Sequence, residues 1–99
     1  MTHTLTKKEF ISQYGYNSYN DIKEFILDNL MVLKYKRVIS GYKMSNSKDY
    51  ITIYLPYNKK EKKQQYININ TIKLYALLHR DTDTFLQYVN NNIKEKVVV

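Results

Sequence analysis

The order of hydrophobic patterns along the 99 residues predicts an α+β fold: an αα-hairpin, a three-stranded antiparallel meander, and one or two C-terminal helices packed on one face of the sheet. Two stretches near the N-terminus carry helix-start signals and the apolar spacing of helices. Between residues 35 and 69 apolar residues instead alternate with polar ones, which is typical of half-buried strands. Helical spacing then returns. We expect one domain over residues 1–99, because a chain of this length has no room for a second core.

The first helix is predicted over Lys7–Tyr14. Thr6 and Glu9 have the spacing of a capping box, in which the Thr6 hydroxyl accepts from the Glu9 amide and the Glu9 carboxylate accepts from the Thr6 amide. Gly15 follows at the position where a glycine commonly ends a helix. These local signals predict both ends of the helix.

A second helix is predicted over Tyr19–Leu33. Ser18 and Asp21 repeat the start signal, and residues 16–18 would form a short link that makes the two helices an αα-hairpin. A wide apolar stripe follows the three-to-four-residue spacing of a helix face and comprises Ile22, Phe25, Ile26, Leu30 and Leu33.

Three strands are predicted over Tyr35–Met44, Asp49–Pro56 and Gln64–Ile69, with Gly41 a bend or bulge in the first. Alternation assigns Ile51, Ile53, Leu55, Ile67 and Ile69 to the inner face of the sheet. The residues assigned to the outer face are Tyr50, Thr52, Tyr54, Gln64, Tyr66 and Asn68. A register error of one residue would exchange the two faces.

The C-terminal third is predicted to be helical up to about Lys94. Asn70 is placed to cap a third helix, and Asp81 is placed to restart the helix after Arg80. The tail Val97–Val99 has three interpretations: it frays, it pairs at a sheet edge, or it lies in a dimer contact.

Charge is concentrated in residues 34–63. This segment carries nine basic and two acidic side chains, and so accounts for the whole formal charge of +7. The same segment is predicted to form the β-sheet and is rich in tyrosine. A basic, tyrosine-rich sheet suggests a polyanionic partner.

We therefore predict a small binding protein that contacts nucleic acid or a ribonucleoprotein through this sheet. Aromatic rings on a sheet surface can stack on bases, while lysine and arginine neutralise phosphates. The candidate stacking residues are Tyr50, Tyr54 and Tyr66, and the candidate phosphate contacts are Lys36, Arg37, Lys43, Lys59, Lys60, Lys62 and Lys63. The aromatic signature of ribonucleoprotein-type RNA-binding domains is absent from the sequence. The ordinary alternative is that tyrosine is simply a favoured strand residue and that lysine protects sheet edges.

Catalysis and cofactors are not indicated. The chain has no cysteine, which excludes disulfides, thiolate catalysis and Cys-ligated metals. His3 lies near the terminus and His79 stands alone near a helix end, and no phosphate-binding glycine loop is present. The carboxylates of Asp81 and Asp83 are better explained by helix capping than by a metal site. We expect no enzyme activity, no cofactor and no metal.

A second functional interpretation remains open. The composition is rich in Lys, Asn, Ile and Tyr, whose codons are AT-rich, and is typical of a small accessory gene from an AT-rich bacterium, phage or mobile element. A phage or mobile-element protein of this kind could be an inhibitor or adaptor that binds a host protein such as a nuclease or immune effector. A homodimer is a third interpretation. No apolar run approaches the length of a membrane helix, and no signal peptide is seen. We therefore expect a cytoplasmic protein with no membrane partner. If it comes from a phage, we expect it in the cytoplasm of the host cell.

Overall fold

A computed structural model describes residues 5–45, 49–57, 60 and 62–97, and of residues 96 and 97 the backbone alone. Within these residues the fold is α+β, as predicted, with helices on one face of an antiparallel sheet. The sheet has four strands rather than three. In chain order the elements are α1 (Lys7–Tyr14), α2 (Tyr16–Tyr35), β1 (Gly41–Met44), β2 (Tyr50–Tyr54), β3 (Lys63–Asn70), α3 (Thr71–Arg80), α4 (Thr82–Asn91) and β4 (Lys94–Val97).

The N-terminal helix pair is joined by a single residue. The predicted capping box is present, with the Glu9 amide 3.2 Å from Thr6 Oγ1 and the Thr6 amide 3.4 Å from the Glu9 carboxylate. Gly15 ends α1 with φ 91° and ψ 160°, a backbone conformation that only glycine adopts without strain. The chain reverses within this residue, so residues 16–18 form the first turn of α2. The prediction that these residues are a link and that Ser18 caps the helix is therefore wrong.

The predicted strand Tyr35–Met44 is wrong over its first half. Tyr35 is the last residue of α2, and the helix ends in a Schellman motif in which the Arg37 amide donates to the Lys34 carbonyl and the Val38 amide donates to the Leu33 carbonyl, both at 3.0 Å. The turn brings Ile39 into the core. Only from Gly41 onward does the chain pair as a strand.

The sheet has the order β1-β2-β3-β4, and every neighbouring pair is antiparallel. The predicted faces of β2 and β3 are confirmed, because Ile51, Ile53, Ile67 and Ile69 are all buried against the helices. The apolar stripe of α2 supplies much of the opposing surface through Ile22, Ile26, Leu30 and Leu33. Burial of these branched side chains is the main favourable term in folding.

The C-terminal helices begin where predicted. Asn70 Oδ1 accepts from the Ile72 and Lys73 amides at 2.8 and 3.1 Å, and Asp81 Oδ1 accepts from the Thr84 amide at 2.6 Å.

The last helix does not continue to Lys94. It ends at Asn91, because the Asn92 side chain donates to the Tyr88 carbonyl at 2.8 Å and the chain then turns back to pair with β3. Of the three interpretations of the tail, pairing at a sheet edge holds as far as Val97. Val98 and Val99 lie outside the described residues.

Candidate nucleic-acid interface

The face of the sheet turned away from the helices, which we call the outer face, carries the three predicted stacking tyrosines. Tyr54 lies opposite Tyr66 on the neighbouring strand, and Tyr50 lies opposite Asn70. None of these three tyrosines packs against the hydrophobic core, and Tyr50 is 48% exposed while Tyr54 and Tyr66 are half-buried. The structure thus brings the tyrosines onto one surface.

The middle of the outer face is polar. Lys43 on β1 lies opposite Thr52, and Thr52 lies opposite Asn68. Thr52 Oγ1 donates to Asn68 Oδ1 at 2.6 Å, which fixes both side chains. We call residues that lie opposite one another across the strands a row, so Thr52 and Asn68 lie between the Tyr50 row and the Tyr54 row. Residues that share a face of a strand are separated by about 7 Å, so the Tyr50 and Tyr54 rows are separated by about 13 Å.

The row that contains Tyr54 and Tyr66 is open at one end and basic at the other. Gly41 lies opposite Tyr54, and a Cβ placed on this glycine would meet no atom within 4 Å, so the space beside Tyr54 is free. Lys94 lies opposite Tyr66 and is exposed. Lys94 was not predicted as a site residue because it was assigned to the end of a helix. Lys94, Glu95 and Lys96 are all charged, so the sequence has no apolar–polar alternation here that would have indicated a strand.

Two connections lie at the end of the sheet where β2 stops and β3 starts, and together we call them the basic end. One is the elbow, residues 34–40, which carries Lys36 and Arg37. The other is the described part of the β2–β3 loop, residues 55–57, 60 and 62, which carries Lys60 and Lys62. All four of these predicted cations are exposed. Lys59 belongs to the same loop but lies outside the described residues.

The elbow is held against the end of β2. Ser40 Oγ donates to the Tyr54 and Leu55 carbonyls at 3.1 and 3.0 Å, and the Ser40 amide donates to the Tyr54 carbonyl at 2.8 Å. The predicted cations Lys36 and Arg37 therefore lie in the turn between α2 and β1, which joins the sheet at the Tyr54 end of β2, and not on a strand of the sheet as the sequence suggested.

Lys63 does not join the outer face. It alternates with Gln64 and Tyr66 along β3 and so lies on the other side of the sheet, where its Nζ is 3.4 Å from the Glu95 carboxylate. The Gln65 amide donates to the same carboxylate at 3.3 Å. This hydrogen bond and the positive charge of Lys63 lower the pKa of Glu95. Lys63 therefore helps to hold β4 against β3 through its ion pair with Glu95 and is not part of the outer face.

Among the described residues no three His, Cys, Asp or Glu side chains come together in a way that could hold a metal ion. His79 lies beside the rings of Tyr75 and Phe25, with ring centroids 5.4 and 6.1 Å away. The pKa of Asp81 is lowered by its hydrogen bonds with Thr84, as expected for a helix cap.

In the part of the chain that the structure describes, no helix combines the length and the hydrophobicity needed to cross a membrane. Comparison with protein-family models, curated proteins and solved structures finds no match to this chain.

Proposed function

We propose that this protein is a non-enzymatic module that binds nucleic acid, alone or within a ribonucleoprotein, through the outer face and the basic end. The observation that carries the proposal is a sheet face that, among the described residues, is turned away from the core and bears three tyrosines, in a chain whose entire net charge lies in residues 34–63. A surface of this kind offers both of the interactions that a flexible polyanion needs.

The tyrosines and the cations have separate tasks in this proposal. Tyr50, Tyr54 and Tyr66 present ring surfaces on which bases stack, and such stacking is worth about 1–3 kcal/mol per base. Lys43 and the cations of the basic end neutralise phosphates and release counterions, which makes the affinity depend on salt. Thr52 and Asn68 between the tyrosine rows offer hydrogen-bonding groups to base edges.

The proposal is tested by fluorescence anisotropy with labelled DNA and RNA, single- and double-stranded, at two salt concentrations. We expect micromolar or tighter binding that weakens as salt is raised. The substitution Tyr50→Ala should weaken binding about tenfold. Tyr16→Ala is the matched control, because Tyr16 is 61% exposed but lies in the first turn of α2, away from the outer face.

A matched pair of lysines tests the electrostatic part. Lys43→Gln should reduce the slope of log affinity against log salt by about one, whereas Lys8→Gln on α1 should leave the slope unchanged. Absence of binding at low salt, or equal binding at low and high salt, would refute the proposal.

The second candidate function is that of a phage or mobile-element inhibitor or adaptor that binds a host protein. Exposed apolar side chains on the last turns of α2 favour this candidate, since Met31 and Tyr35 are 58% and 88% exposed. A complex captured from host cells separates the two candidates. If the complex survives nuclease treatment, the partner is a protein; if nuclease removes the complex, the partner is nucleic acid.

A further inference from the structure

We infer that the nucleic acid bound at the outer face is single-stranded, and that the strand leaves the face across the basic end, where Tyr35 stacks on a base and Arg37 and Lys62 hold its phosphates. This inference rests on the proposed function. It adds a substrate class, a path for the strand and a stacking residue outside the sheet.

The shape of the outer face favours a single strand. A B-form major groove admits an α-helix or a two-stranded ribbon, whereas the outer face is a broad surface of four strands. In a duplex the faces of the bases are stacked on one another and are not available to tyrosine rings. Unpaired bases can stack on aromatic side chains. The free space above Gly41, which lies opposite Tyr54, can admit a base.

The backbone of the basic end is strained at two cations. Arg37 has φ 62° and Lys62 has φ 52°, and no other non-glycine residue in the described part of the chain has a positive φ. The Arg37 position is the one at which a Schellman motif usually has glycine, because a side chain there is disfavoured. Both strained residues are exposed, so neither side chain contributes to the core. Strained residues concentrate at functional sites, and here both occurrences carry a positive charge at the same end of the sheet.

Tyr35 has the exposure expected of a ligand contact. Its side chain is 88% exposed on the last turn of α2, so it packs against almost nothing. It is flanked in sequence by Lys34 and Lys36, and Arg37 follows. The C-terminus of a helix carries about half a negative charge, which would repel a phosphate. The three cations exceed that charge several-fold and make the elbow attractive to an anion.

The elbow and the outer face meet at the end of β2. The Ser40 hydrogen bonds fix the elbow beside Tyr54, and the β2–β3 loop with Lys62 follows from the same end of β2. A single strand that runs along the Tyr50 and Tyr54 rows would therefore leave the sheet at the basic end.

The test compares one single-stranded oligonucleotide with a hairpin duplex that contains the same sequence, at low salt. We expect the single strand to bind at least tenfold more tightly. Tyr35→Ala should weaken binding of the single strand about tenfold and leave Tm unchanged, while Tyr16→Ala should change neither.

Arg37→Gly gives the sharpest readout, because the inference predicts opposite effects on stability and binding. Glycine removes the left-handed strain, so Tm should rise by about 2–4 °C after allowance for the greater freedom of glycine in the unfolded chain. Affinity for the single strand should fall several-fold, and the salt slope should decrease by about one. A purely structural role for Arg37 would change Tm without changing the salt slope.

The outcomes distinguish this inference from the proposed function. If the native protein binds neither oligonucleotide, the proposed function and the inference both fail. If the duplex binds as well as the single strand, or if Tyr35→Ala and Arg37→Gly bind like the native protein while Tyr50→Ala is weakened, the inference fails and the proposed function stands.

Discussion

Asn70 connects three parts of the fold, so its replacement is a sensitive test of how the outer face is supported. It is the last residue of β3 and lies opposite Tyr50. Its side-chain oxygen Oδ1 accepts from the Ile72 amide and so caps α3, and its Nδ2 donates to the backbone carbonyl of Leu5, just before α1, at 3.2 Å. Asp49, which precedes Tyr50 in the chain, also links the sheet to α3 and α1. Its backbone carbonyl accepts from the Thr71 amide, and its carboxylate accepts from the Lys7 amide.

Asn70→Ala should lower the free energy of unfolding by about 2 kcal/mol. Loss of the cap costs about 1 kcal/mol, and loss of the half-buried hydrogen bond to Leu5 costs about another 1 kcal/mol. A domain of 99 residues has a total stability of about 5–15 kcal/mol. The loss should therefore lower Tm by about 8–16 °C without unfolding the protein at room temperature.

Urea denaturation followed by far-ultraviolet circular dichroism measures this effect. Asn70→Asp separates the two contributions, because the carboxylate still accepts from the α3 amides and complements the helix dipole but cannot donate to Leu5. Asn90→Ala, an exposed position on α4, is the control and should change stability by less than about 0.5 kcal/mol. A loss below about 0.5 kcal/mol for Asn70→Ala, or an equal loss for Asn70→Asp and Asn70→Ala, would refute the reasoning.

Two further predictions concern pH. The pKa of Glu95 is lowered by the hydrogen bond from Gln65 and by the charge of Lys63. At pH values above the ordinary pKa of a glutamate the ionised carboxylate therefore stabilises the folded protein. This contribution is lost as the pH falls through the lowered pKa. Hence the Tm difference between the native protein and Glu95→Gln should shrink between about pH 5 and pH 3, and a constant difference would contradict the assignment. Burial raises the pKa of Tyr19, against the smaller opposing effect of its hydrogen bond with Thr71, so the unfolded chain ionises first as pH rises. Stability should therefore fall between about pH 9 and pH 11 more steeply in the native protein than in Tyr19→Phe, and parallel curves would count against it.

The features that the sequence predicted well are those decided by residues close together in the chain. The caps at Thr6, Asn70 and Asp81 depend on an acceptor side chain and amides two or three residues later, and all three are present. The faces of β2 and β3 depend on alternation alone, so the outer position of Tyr50 and Tyr66 could be predicted before the partners of the strands were known.

The features that were missed depend on contacts distant in sequence or on backbone conformations that residue type does not indicate. Arg37 occupies a position typical of glycine, so nothing in the sequence marked the end of α2. Lys94 was assigned to a helix because its strand exists only through pairing with β3. As a result Tyr35 and Lys94 were missing from the predicted site.

The attachment of β4 has a consequence for the order in which the protein assembles. The α1–α2 pair, the two hairpins of β1, β2 and β3, and the α3–α4 pair all join elements that are adjacent in sequence, so each requires the closure of only a short loop. Pairing of β4 with β3 must instead wait until α3 and α4 have brought the chain back to the sheet. With four residues at an edge of the sheet, β4 should be the last strand to join during folding and the first to separate in local opening events. The row from Lys94 to Tyr54 is therefore completed only in the final step of folding.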